Sequence, residues 1–192
     1  MSHVGKVLGW DCLGTDVKLS FVERLRTARE DPYALLGRIG IAKGMRVADL
    51  GAGKGLYTLV AAELVGGVGW VYAVEPDTAR SALIGRRAAG GGFANITVLK
   101  TRAEDMSGIP DSGVDFAFSL NALHHFEDRD AALSEAKRIL KKDGRLYVRD
   151  MVWNMWFRHG TRKEDVGSIA AGVFTNVKVN LTARKVEITF TK

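Results

Sequence analysis

The sequence predicts an α/β domain: a doubly wound, mostly parallel seven-stranded sheet with helices on both faces and an antiparallel C-terminal hairpin. Three observations predict it. From about residue 45 onward, short apolar runs alternate with helical patterns, as in parallel strands joined by crossover helices. The first of these runs leads straight into a glycine-rich turn, Gly51–Gly55. The last two runs alternate at period two around a short polar link, which is a hairpin pattern.

The elements follow in order. Asp16–Arg29 and Pro32–Ile39 read as helices because Val17, Phe21, Val22 and Leu25, then Leu35, Leu36 and Ile39, recur at helical spacing. Pro32 suits a first helical turn. Met45–Leu50 is the first strand, and Leu56–Val65 a helix stopped by Gly66–Gly67. Trp70–Val74 is the second strand, and Asp77–Ala88 a helix opened by its Asp77 cap. After a Gly90–Gly92 loop come Ile96–Leu99 and Val114–Leu120, the latter apolar enough to be buried on both faces. Glu127–Leu140 is a patterned helix ended by Asp143–Gly144, and Arg145–Val152 is the fifth strand. Thr161–Ala171 reads as a further helix, and Phe174–Asn180 with Lys185–Thr191 as the hairpin.

At 192 residues, the chain suits one domain, 1–192, with 1–40 as a helical cap segment and 41–192 as the core. Cys12 is the only cysteine, so no intrachain disulfide is possible. No basic leader opens the sequence and no run reaches the ~20 apolar residues of a membrane helix, so the expected location is cytoplasmic. The formal charge of +6 invites acidic partners, yet the basic residues are scattered along the chain, from Lys18 and Arg24 to Lys141–Lys142. Their spread fits a solvated surface. Clustering of Lys and Arg around a pocket mouth would instead favour RNA or protein.

Val47-Ala-Asp49-Leu-Gly51-Ala52-Gly53-Lys-Gly55-Leu-Tyr57 carries the most information. A strand ending in a turn of small residues lets a ligand press against backbone, and the following helix offers unpaired N–H groups. The dinucleotide fingerprint needs a third glycine five residues after the first, where Leu56 stands. A phosphate-binding loop needs Ser or Thr after the lysine, where Gly55 stands. An acid followed by glycines at alternate positions resembles the first motif of the seven-stranded S-adenosylmethionine-dependent methyltransferases, in particular the group that includes the ubiquinone and menaquinone C-methyltransferases. From about Leu35 onward the chain is similar to that family.

The resemblance implies a cofactor, S-adenosylmethionine, with S-adenosylhomocysteine as product. It assigns Asp49, Gly51, Ala52, Gly53, Gly55 and Tyr57 to the cofactor turn, and Glu75, followed by Pro76, to the ribose hydroxyls. Ala103-Glu104-Asp105 would read adenine, with Glu104 and Asp105 left as alternatives, and Asn121 would lie beside the sulfonium. His124 and His125 are the candidate bases for a phenol, enol or carboxyl proton, against the alternative that they only pack and cap. Asn121-Ala-Leu-His124 lacks the prolines of enzymes that methylate exocyclic amines. The lack of a nearby cysteine speaks against arsenic or cysteine-relay chemistry, and no spacing suits a metal.

Trp153, Trp156, Phe157 and Arg158 follow the fifth strand and are candidates for an acceptor site, with Tyr33 closing it from the N-terminal side. They equally suit a roof over the core. The expected partner is a small or medium-sized acceptor rather than RNA or protein; a non-catalytic cofactor-binding subunit is the third class.

Overall fold

The structure, a computed structural model, describes residues 21–152, 160–161, 173–174, 176–182 and 185–192, the side chains of residues 21, 22, 25 and 26 aside. Cys12, the expected Thr161–Ala171 helix beyond Thr161 itself, and the first turn of the Asp16–Arg29 helix fall outside these residues. Helices α1 (Phe21–Arg29) and α2 (Pro32–Ile39) precede the sheet. Asp31 caps α2 by accepting the Tyr33 N–H at 2.9 Å, and Gly40 ends it in the left-handed region at φ 103°.

The alternating elements are β1 (Arg46–Leu50), α3 (Leu56–Val65), β2 (Trp70–Val74), α4 (Thr78–Gly90), β3 (Ile96–Leu99) and β4 (Val114–Leu120). A single turn of 3₁₀ helix, Leu123–His125, precedes α5 (Arg129–Ile139), then β5 (Leu140–Met151), β6 (Asn176–Leu181) and β7 (Lys185–Thr191). The seven strands lie in the order β3-β2-β1-β4-β5-β7-β6. The first five are parallel, while β7 runs antiparallel to both β5 and β6.

Neighbouring residues on each central strand face opposite layers. Val47, Phe116 and Tyr147 pack with Leu35 and Leu36 of α2 and Val60 and Val65 of α3. Ala48, Ala117 and Val148 pack with Leu133, Ala136 and Ile139 of α5. Covered on both faces, β1 and β4 are almost wholly buried, as continuous apolar runs require. The β6 edge is largely exposed.

Several boundaries differ from the sequence reading. Asp128 accepts the Ala131 N–H at 2.9 Å, so α5 begins at Arg129 rather than at Glu127. Leu140 leaves the helix because it is buried opposite Val114 in the β4–β5 ladder. The register then jumps to Phe116 opposite Arg145, and residues 141–144 bulge out. Asp143–Gly144 is therefore a turn within β5, with Asp143 at φ 64° and Gly144 accepting the Lys192 N–H at 3.0 Å. Phe174 lies outside β6 and packs its ring 4.8 Å from that of Phe190.

Because Phe116 is fully buried between sheet and helices, Phe116→Ala should cost about 3–5 kcal/mol in urea unfolding. Val179→Lys on the exposed edge should change stability by no more than about 0.5 kcal/mol.

Candidate functional site

The site begins where β1 ends. Asp49 is the last polar residue of the strand, and the chain then turns sharply into α3. Gly51 and Ala52 both donate their N–H groups to the Val74 carbonyl, at 2.9 and 3.0 Å, which draws the turn onto the end of β2. Gly51 has φ 77°, and a Cβ there would come within 2.5 Å of the Ala122 Cβ. Only glycine lets the loops after β1 and β4 approach so closely. Gly53, at φ 59°, differs: a Cβ there would meet nothing within 4 Å and would project into open space. Gly55 supplies no side-chain cap, so the first-turn N–H groups of α3 keep no side-chain partner at that position.

Glu75, at the end of β2, faces this turn. Its Oε2 accepts the Gly53 N–H at 2.7 Å and its Oε1 the Asp77 N–H at 3.1 Å. A carboxylate has further acceptor sites on both oxygens. Asp49 is buried and accepts one hydroxyl bond, from Thr58 at 2.6 Å. Burial pushes its carboxyl up to about 7; the Thr58 bond opposes that shift and the neighbouring Glu75 charge adds to it.

A cavity of about 570 Å³ lies beyond the carboxyl ends of β1, β2 and β4. Its walls bring together Asp49, Gly51, Ala52, Gly53, Tyr57, Glu75, Pro76, Ala103, Glu104, Asn121 and His125, all singled out in the sequence. Asn121 follows β4 with φ 57°, a left-handed conformation that asparagine tolerates, and donates its N–H to the Arg149 carbonyl at 2.7 Å. Glu104 and Asp105 are separated by the structure. Glu104 lies on the wall, where its Oε1 accepts the N–H groups of Glu127 and Asp128 at 2.8 and 3.1 Å; Oε2 takes no bond among the described residues. Asp105 is exposed, off the wall, and accepts the Ser107 N–H at 3.2 Å.

Other sequence candidates lie elsewhere. Gly55 sits beneath the turn, where a Cβ would be 2.9 Å from Ile84. The Tyr33 hydroxyl bonds Glu63 of α3 instead of reaching the cavity, because α2 packs along α3. His124 lies behind the wall, its ring against Asp150. Trp153, Trp156, Phe157 and Arg158 fall outside the described residues.

The sequence reading missed Glu23, Lys54, Arg80, Arg102, Phe126 and Glu127, which also line the cavity. Glu23 of α1 forms a buried ion pair with Arg87 of α4 at 2.7 Å, and Arg87 also donates to the Lys54 carbonyl at 2.7 Å. Arg102 and Glu127 form an ion pair at the Glu104 end. Among the described residues the wall thus carries three cations, Lys54, Arg80 and Arg102, against five acids, Glu23, Asp49, Glu75, Glu104 and Glu127. Among the described residues, basic side chains are outnumbered by acids on this wall.

Residues 48–148 match the family described as a methyltransferase domain. An arsenite methyltransferase of Aquipseudomonas alcaligenes is 31% identical over 129 residues, 64% of this chain and 37% of that protein. The ubiquinone/menaquinone biosynthesis C-methyltransferase UbiE of Psychromonas ingrahamii is 32% identical over 111 residues, 57% of this chain and 43% of that protein. The chain thus spans well under half the length of these two relatives. A crystal structure of a SAM dependent methyltransferase from Aquifex aeolicus superposes with a TM-score of 0.73 at 25% identity, covering 91% of this chain and 99% of that one.

The raised Asp49 carboxyl has a consequence for stability. Between pH 4 and 7 the folded chain holds a proton at Asp49 that the unfolded chain has released, so stability falls as pH rises across that window and levels off above it. Asp49→Asn should flatten this part of the urea-unfolding profile and remove a penalty on the order of 4 kcal/mol at pH 8.

Proposed function

The chain belongs to the methyltransferase-domain family, and on that footing we propose that it binds S-adenosylmethionine in the crevice beyond β1 and methylates a small or medium-sized, partly apolar acceptor. The observation that carries the reading is the Gly53 cradle, open toward the cavity and facing the Glu75 carboxylate. The donor and acceptor set fits the cofactor. Glu75 has acceptor sites for a ribose diol, and Glu104 Oε2 for an exocyclic amine. The α3 N-terminus suits a carboxylate, while Asp49 offers a negative charge to an ammonium or sulfonium. Asn121 extends the wall toward the acceptor side.

When bound, the cofactor supplies a methyl carbon on a positively charged sulfur, a leaving group that needs no further activation. The chain's own task is then orientation and exclusion of water. Rigid placement can supply about 7–11 kcal/mol in favourable cases. Leu120, Ala122 and Phe126 give the cavity an apolar stretch beside Asn121, suited to holding an acceptor dry. His124 and His125 are the candidate proton acceptors, of which His125 lies on the wall. A trivalent arsenic acceptor calls for soft thiolates, and the chain has only Cys12 to offer.

The balance of charge around the cavity among the described residues supports a small acceptor over RNA or protein, since a docking face for either would gather cations at the opening. The domain reading goes with this: 41–192 forms the cofactor-binding core and 1–40 a cap, with Glu23 of α1 reaching the cavity wall in support. A cytoplasmic location is the accompanying expectation, resting on the single cysteine.

Calorimetry with S-adenosylhomocysteine tests the proposal. The protein should bind it, and Glu75→Gln, which keeps the shape but removes the charge, should weaken binding roughly 10- to 150-fold. No binding by the unaltered protein would end the reading. S-adenosylmethionine should also bind more tightly as pH rises through about 7, where Asp49 ionises, and Asp49→Asn should abolish that slope.

A further inference from the structure

Glu23 is the one described residue of α1 on the cavity wall, and it is buried there. It meets Arg87 of α4 as a fork: Nη1 lies 2.7 Å from Oε1 and Nη2 3.3 Å from Oε2. Arg87 is buried as well, and its Nη1 also donates to the Lys54 carbonyl at 2.7 Å. Lys54 belongs to the glycine turn, between Gly53, whose N–H is bonded to Glu75, and Gly55, at φ 85°. One guanidinium thus joins three elements that meet at the cavity: α1, α4 and the turn after β1.

The other end of α1 is anchored separately. Glu30, one residue beyond the helix, pairs with Arg149 of β5, with Arg38 of α2 at 3.3 Å and with Lys185 of β7 at 3.9 Å. These cations hold the α1–α2 junction to the sheet, and Asp31 beside it caps α2. The helix is therefore fixed behind its C-terminal end, while the Glu23–Arg87 pair holds its first turn on the cavity. An ion pair suits a contact that is made and broken. Two ions leaving water together regain by attraction about what they lose in solvation, so parting them into solvent costs little. Removing one alone strands the other in a dry place.

Resting on the methyltransferase reading, we propose that Arg87 is a positioning residue that couples the seating of α1 to the shape of the glycine turn, and that cofactor and product exchange as the Glu23–Arg87 pair opens. With the pair closed, Glu23 completes the wall beside Lys54, and the guanidinium pins the Lys54 carbonyl behind the Gly53 cradle. When α1 lifts about its Glu30 anchor, Arg87 loses its carboxylate, both ions pass to water and the turn loses a fastening. A ligand that rests on the turn binds the seated form better, and by linkage its presence populates that form. Release of S-adenosylhomocysteine then waits on the helix.

Two readouts on the full chain test this, both with S-adenosylhomocysteine as the ligand. In stopped-flow binding and displacement, Glu23→Gln and Arg87→Met should each raise the dissociation rate about 10-fold or more. The association rate should rise too, by a smaller factor, because entry and exit use the same opening. A side chain that only touches the ligand would raise dissociation alone, and one that only stabilises the fold would move neither rate. The double variant should dissociate within about 2-fold of Arg87→Met, since the two residues act as one contact. Amide exchange over residues 21–29 should slow when the ligand is bound, and Glu23→Gln should remove most of that slowing. If Arg87→Met does not fold, Glu23→Gln, which keeps the shape of its side chain, carries both readouts. Unchanged rates in Glu23→Gln, a rise in dissociation alone, or amide exchange in α1 indifferent to the ligand would overturn the proposal. Failure of the unaltered protein to bind S-adenosylhomocysteine would instead strike the methyltransferase reading and take the proposal with it.

Discussion

The site depends on the point where the strand order turns back on itself. β1 lies between β2 and β4, so the chain leaving β1 goes to α3 on one face and the chain leaving β4 goes to α5 on the other. Their carboxyl ends splay and open a crevice that no side chain of the core needs to fill. Its width is set by Gly51, which lets the β1 loop approach Ala122 closely. Its inner shape is set by one bond, from the Gly53 N–H to Glu75. The same carboxylate shapes the turn and stands ready as an acceptor in the wall. Structure and binding are coupled there.

Four buried carboxyl groups sit around this crevice, and each meets the cost of burial differently, Glu23 through its ion pair with Arg87. Asp150 gathers donors from backbone, hydroxyl and imidazole. Glu75 takes two backbone N–H groups. Asp49 has the Thr58 hydroxyl and a like charge nearby, and it is the one whose proton affinity rises to the physiological range. A cationic ligand beside Asp49 supplies what the protein withholds, namely a positive charge in a poorly solvated place.

What the sequence discloses follows from the range of each interaction. The glycine turn and the capped starts of α2 and α4 are set by residues a few positions apart, and the period-two hairpin by local alternation, so they could be read directly. The Glu23–Arg87 and His124–Asp150 pairs join residues 64 and 26 positions apart and left no local pattern. The end of α5 was misplaced for a related reason: Leu140 has helical spacing, but its partner Val114 belongs to another strand. Nor could spacing separate Glu104 from Asp105, because adjacent loop residues point to different sides and only the neighbouring loop shows which side is the wall. Tyr33 was placed at the pocket by analogy, and the packing of α2 on α3 decided otherwise.

The formal charge of +6 looks different once the cations are traced. Arg87 is buried against Glu23 and the Lys54 carbonyl, and Arg149 is buried against Glu30. Arg138 ties the Ile109 and Met106 carbonyls to Asp111 and Glu135, while Lys141 pairs with Asp115 at the opposite end of β4 from the cavity. These cations act as internal fasteners that join elements distant in sequence. A guanidinium suits that work because its several donors reach two or three partners at once. These four cations therefore help to hold the chain together, while the cavity wall carries acids and an apolar stretch around Phe126.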